Sequence, residues 1–228
     1  GVLLILRGIN LNASSEPEDM ISIRLWIDES RIISLRRRPL KAVMDIRERL
    51  SAGRGFGSSG GFITMLTTRL FERMEPIFSD LDDRLALIEE EVADAPSTDS
   101  RKCITSIRKE AILFRRYIAP QKDVIAHLRS CEQAWLSSLD KRRLQESFDH
   151  VTRYVEDLDV IRERAQVVKD ELVNALSDRM NRNMYMLSVI AAIFMPLGFL
   201  TGLLGVNVGG IPGSENGGAF YIFCGILT

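Results

Sequence analysis

Apolar residues recur along this chain with two different periods, and the change falls near residue 60. Val2–Arg7, Ile21–Ile27 and Arg31–Leu35 are short, rich in β-branched residues and separated by polar turns, so they read as strands. Ile21–Ile27 alternates apolar with polar, as a half-buried strand should. Leu40–Leu50 follows Pro39 and reads as a helix. Residues 1–55 therefore predict the C-terminal part of a small α/β domain.

Ser51–Gly61 holds five glycines and three serines in eleven residues and reads as a linker. A phosphate-cradling loop would need a Gly-Lys-Ser/Thr ending after a strand, and neither is present. Residues 56–137 then predict antiparallel helices. Phe62–Ala95 is one long amphipathic segment with Pro76 as a kink or local break. Pro96-Ser97-Thr98-Asp99 supplies a loop and an N-cap candidate, and Ser100–Cys131 makes a second helix that Pro120 is expected to interrupt. The connection between them is only a few residues long, which makes them antiparallel neighbours.

The third helix is longer. After the capping residues of Ser137-Ser138-Leu139-Asp140 there is neither Pro nor Gly before Pro196. About 55 residues can thus run as one helix of roughly 80 Å. Residues 138–183 read as a stalk and 184–204 as a first transmembrane helix, since a bilayer core needs roughly 20 apolar residues of helix. Residues 205–218 form a Gly-rich external loop. Residues 219–228 begin a second transmembrane helix too short to cross, so the chain reads as a piece of a longer protein at both ends.

Charge changes the picture because it is segregated. Charged residues make up 27% of the chain, yet none occurs between Met184 and Ser214. The net charge of -1 gives no reason to expect nucleic acid as a partner. Cys103, Cys131 and Cys224 stand far apart, so neither a disulfide framework nor a thiolate metal cluster is indicated. No acid/base pair, nucleophile motif or cofactor loop suggests an enzyme.

One face of the third helix is unusual. Asp170, Asn174, Ser177, Asn181, Met184, Ser188, Ala191, Met195, Gly198, Gly202 and Gly205 follow each other at alternating spacings of four and three. No aromatic or β-branched residue falls on that line, whereas an ordinary coiled coil would put Leu, Ile or Val there. Two readings stand. Small residues let membrane helices approach closely; alternatively, several copies packed about an axis would turn the line into a narrow polar pore. Close packing alone does not account for Asn174 and Asn181 beyond the apolar span, nor for Asn207 past its end.

The segment Asn181–Asn207, with Met184, Ile193-Phe194-Met195-Pro196-Leu197, Gly202 and the closing Gly205-Val206-Asn207, resembles the CorA superfamily of divalent-cation transporters. That family closes its first transmembrane helix with Gly-Met-Asn, and Val206 departs from the pattern. Val208-Gly209-Gly210-Ile211-Pro212-Gly213, with Leu3–Asn12 and Arg31–Pro39, is similar to the ZntB zinc-transporter branch. The resemblance implies a mainly α-helical membrane protein. It would be a homopentameric funnel in a bacterial inner membrane, multi-pass, with the α/β domain cytosolic and the stalk helix continuing into the pore-lining helix. Arg179 and Arg182, just before the span, agree with a cytosolic stalk.

On that implication, five Asn207 amides would recognise the water shell of a cation at the outer mouth, and Glu215 in the external loop would attract it. Met184 and Leu187 would form a hydrophobic constriction, Met195 a second, and Asn181 and Asp170 polar rings further in. The cargo would be zinc, or magnesium (or cobalt or nickel), with no cofactor. The zinc assignment comes from the branch, because the line carries no Cys or His. A membrane-anchored scaffold that transports nothing is the alternative from another class. His127 and His150 read as surface residues. The acidic groups Asp80, Asp82, Asp83 and Glu89-Glu90-Glu91 admit a solvated face or a regulatory cation site, and Arg36-Arg37-Arg38 a basic strand end or a phosphate contact.

Overall fold

The structure, a computed structural model, describes residues 1–205, 216–218, 221–222 and 224–225. It divides into two units, Gly1–Val173 and Asn174–Thr228.

The first unit opens with an antiparallel sheet of β1 (Val2–Gly8), β2 (Ile21–Ile27) and β3 (Ile32–Arg36), in that order. Leu4 pairs with Leu25 and Leu6 with Ile23, and this register sets one apolar row against the helices. Leu6, Ile23, Leu25 and Ile27 are wholly buried on that side. The turn from β2 to β3 is built on Asp28. One of its carboxylate oxygens accepts from the amides of Ser30 (2.9 Å) and Arg31 (2.8 Å), a local pattern that replaces a backbone turn.

Helix α1 (Lys41–Ser51) ends on Gly53, whose φ of +75° suits a residue without Cβ. The amides of Gly53 and Arg54 reach back to the carbonyls of Leu50 and Arg49, both at 3.0 Å, closing the helix with a Schellman arrangement. Helix α2 (Ser59–Glu72) is capped by the Ser58 hydroxyl, which accepts from the Gly61 amide at 3.0 Å. The expected linker over Ser51–Gly61 is therefore shorter. Its start is a helix cap, and its last three residues are already helical.

Arg73 and Met74 separate α2 from α3 (Glu75–Asp94), so Phe62–Ala95 is two helices. Pro76 sits in the first turn of α3, where its missing N–H has no intrahelical acceptor to lose. Helix α4 (Thr98–Ser130) begins at the Ser97 cap and, against expectation, runs unbroken through Pro120. Gln121 supports the backbone there: its side-chain amide donates to the Tyr117 carbonyl at 3.3 Å, and its oxygen accepts from the Arg7 amide of β1 at 2.9 Å.

Helix α5 (Ser138–Gly205) starts with a reciprocal cap. Asp140 donates its amide to the Ser137 hydroxyl and accepts from the Ser137 amide, each at 3.1 Å. The helix does not stop at Pro196 but continues to Gly205. Cross-helix pairs fix the directions. Phe78 faces Phe114, Arg84 binds Glu110 and Glu91 binds Ser100, so α3 and α4 are antiparallel. Thr67 meets Ser147, Phe78 meets Tyr154 and Glu89 meets Arg164, so α2 and α3 run parallel to α5. The α5 side of this core is Leu144, Val151, Tyr154, Leu158, Ile161, Ala165, Val168 and Leu172. Apart from position 147, held by buried Ser147, this is an apolar seam with alternating steps of three and four.

The second unit contains the rest of α5. Among the described residues one helix is long and apolar enough to cross a membrane; its most apolar window has a mean hydropathy of 2.1 and none of it is buried. An uncovered apolar surface of that extent needs lipid or protein around it. Tyr221, Ile222, Cys224 and Gly225 are helical.

Candidate functional site

The site is a face of α5. Within the first unit its orientation follows from the core. Two residues beyond a seam position lies about 200° further around a helix. Asp170 stands two residues after Val168, and Val167 two after Ala165, so both point away from the apolar seam. Val160 and Val167 are 54% and 52% exposed on that side, with Glu163 between them. The line predicted from Asp170 thus extends backwards to Val160, and the spacing of three, four and three would have revealed it. Asp170 is oriented within its own helix, since the Gln166 side-chain amide donates to both carboxylate oxygens at 2.9 and 3.0 Å.

In the second unit Asn174, Ser177, Asn181, Met184, Ser188, Ala191, Met195, Gly198 and Gly202 all lie on exposed helix, as does Leu187. Met195 is 73% exposed. Ser188 donates its hydroxyl to the Met184 carbonyl at 2.9 Å, which satisfies the proton and leaves the oxygen able to accept. A Cβ added at Gly198 or Gly202 would meet nothing within 4 Å. No close approach among the described residues therefore explains these glycines. Gly205 ends the described helix, while Val206, Asn207 and Glu215 lie outside the described residues.

The acidic runs are largely used within the chain. Arg164 on α5 grips Glu89 with two nitrogens (3.1 and 2.6 Å) and Asp82 with a third (2.5 Å). The hydrogen bond to Glu89, opposed by partial desolvation and helped by both carboxylates, raises the Arg164 pKa above its ordinary value. Arg84 holds Glu110 at 2.9 and 3.0 Å and lies 3.8 Å from Asp80, and Glu91 accepts from the Ser100 hydroxyl at 2.7 Å. Among the described residues no group of three or more His, Cys, Asp and Glu could hold a metal ion. His127 and His150 are both exposed, with the Arg153 guanidinium 3.5 Å from the His150 ring. The pairs of this lattice that join different helices carried no sequence signal, because their ionic partners are 26 to 82 residues apart.

What the face can do chemically is offer acceptors and apolar side chains to something outside the chain. A family model described as CorA-like Mg2+ transporter protein matches residues 1–228. The divalent cation transporter CmaX of Pseudomonas aeruginosa is 40% identical over 224 residues, covering 98% of this chain and 68% of that protein. The zinc transport protein ZntB of Pectobacterium atrosepticum is 36% identical over 228 residues, covering 100% of this chain and 69% of its own. The solved structure of full-length CmaX matches with a TM-score of 0.85 at 39% identity, over 99% of this chain and 69% of that one. The CorA magnesium transporter from Methanocaldococcus jannaschii shares the fold, with a TM-score of 0.84 at 16% identity, over 99% of this chain and 71% of that one. The exposed apolar helix and its line of small and polar residues thus sit in a matching sequence and a matching fold, and the chain belongs to the CorA-like Mg2+ transporter family.

Proposed function

We propose that the chain is one subunit of a homopentameric divalent-cation transporter in a bacterial inner membrane, with zinc as its cargo. The observation that carries this reading is the α5 face itself. It is mostly polar or small and exposed from Asp170 to Gly202, and among the described residues nothing packs against Gly198 or Gly202. Around a fivefold axis it becomes a pore wall.

A cation entering from outside meets the Asn207 amides, whose neutral oxygens accept from its water shell and so select without trapping. Glu215 raises the local cation concentration. Further in, Gly202, Gly198 and Ala191 leave width for a hydrated ion, Met195 narrows the path, and Met184 with Leu187 forms an apolar ring that closes by dewetting. Asn181, Ser177 and Asn174 replace water contacts on the cytosolic side. Asp170, steadied by Gln166, supplies the carboxylate ring to which the ion descends. The face has no Cys or His, so the ion keeps most of its water; a tight zinc site would strip it.

Magnesium is the second reading, favoured by the description of the family that spans the chain. Reconstituting the full-length protein in liposomes, with zinc or magnesium outside and with or without a pH gradient, separates the two. Zinc flux lost in Asn207→Ala supports the proposal, magnesium flux alone moves the assignment to the second reading, and flux of neither ion leaves the scaffold alternative standing.

A further inference from the structure

The run Arg36-Arg37-Arg38 lies away from the α5 line, at the end of β3 and just after it. Arg37 and Arg38 line a cavity of about 280 Å³ whose wall also includes Asp19, Ser22 and Tyr117. No hydrogen bond or ion pair among the described residues engages either guanidinium, the Ser22 hydroxyl or the Tyr117 phenol. Two more guanidiniums stand on the same ring: that of Arg7 lies 4.5 Å from the Tyr117 centroid and that of Arg116 5.8 Å. Among the described residues neither has a carboxylate partner. Two positive side chains from the segment after β3 thus line the cavity beside Tyr117, whose ring also carries Arg7 from β1 and Arg116 from α4, and the cavity wall holds a single carboxylate, Asp19.

Such a cavity is rich in donors and poor in acceptors. Guanidinium forks match the oxygens of a phosphate two at a time, and free hydroxyls add further donors. Asp19 would repel a phosphate placed against it, but it accepts readily from a hydroxyl. The ligand that meets both conditions carries a phosphate at one end and hydroxyls a few ångströms away. The volume lies near the lower end for small-ligand sites, which start at about 300 Å³, so it suits one sugar phosphate. We propose that this cavity binds the ribose-phosphate moiety of a soluble nucleotide, independently of the pore.

The test uses the full-length protein in detergent, with a chelator present so that no divalent cation bridges to the pore, and titration calorimetry with AMP, ribose 5-phosphate, inorganic phosphate and adenosine. AMP and ribose 5-phosphate are expected to bind saturably, one per chain, and adenosine not at all. Arg37→Ala with Arg38→Ala should weaken AMP by about tenfold or more, as the loss of two charge-assisted contacts implies. Should that double variant misfold, Arg37→Lys with Arg38→Lys keeps the charge and loses the fork, and weakened binding is again expected. Asp19→Asn should narrow the preference for AMP over inorganic phosphate. The proposal is overturned by no saturable binding of either sugar phosphate, by adenosine binding as tightly as AMP, or by affinity unchanged in both double variants. Capture on phosphatidylglycerol vesicles that AMP does not compete would assign the arginines to a lipid headgroup, and would overturn it too.

Discussion

A methyl group on Gly60 would have no room. Its Cβ would stand 2.4 Å from an Asp140 carboxylate oxygen and 2.7 Å from the Trp135 carbonyl, and the second of these is backbone. Gly60→Ala is therefore expected to destabilise the first unit by about 1–3 kcal/mol, the usual cost of overpacking. Thermal unfolding of the full-length protein in detergent measures it, and an unchanged midpoint would refute the close approach. Asp28 gives a second expectation. Partial desolvation opposes its ionisation, but the Ser30 and Arg31 amides, the Arg31 guanidinium and the Ser30 hydroxyl outweigh it and lower its pKa from 3.8 to about 2. A depressed carboxylate stabilises the fold above its unfolded pKa and loses that contribution as pH falls through the folded value. The stability gap between wild type and Asp28→Ala should accordingly be constant above about pH 5 and shrink as pH falls from there towards 2 in denaturant titrations. Gly60 was read in the sequence as linker, because its partner lies 80 residues away; Asp28 was not singled out, although its turn is local.

The strands and the break near Pro76 were legible because alternation and the first-turn preference of proline act over a few residues. Pro120 was not. Proline removes the bond to the Arg116 carbonyl, and α4 continues past it because packing holds both sides: Ile118 and Gln121 are buried, and the Gln121 side chain ties the Tyr117 carbonyl to β1. Gln121→Leu should cost about 1–3 kcal/mol, since it leaves the Arg7 amide without its acceptor in a partly buried place. Hydrogen exchange at the Arg7 amide should quicken in the variant; unaltered protection would show that the edge of β1 does not depend on α4. In α5, by contrast, the expected helix 184–204 already ran through Pro196. Pro196 lies among apolar neighbours in the span, where the alternative to helix is unsatisfied backbone.

For the whole molecule, the period of the α5 line was readable and its orientation was not. The 3.5-residue line is visible in the sequence, but only the buried seam Leu144–Leu172 says that Asp170 points away from the apolar core. The orientation predicts a phenotype. Gly202→Leu fills the line with a bulky side chain, and in the pore reading it should cut cation flux by about tenfold or more, while unfolding of the first unit stays as in wild type. Flux equal to wild type would turn that face towards lipid. Arg164 bears on how such a protein can move. Its two carboxylate partners, Asp82 and Glu89, are two turns apart on α3, and one guanidinium holds both. A slip of α5 along α3 by a single turn, about 5.4 Å, would carry the guanidinium level with one acid and out of reach of the other. Sliding of these helices in either direction thus gives up one of the two grips, so the first unit should resist shear between α3 and α5.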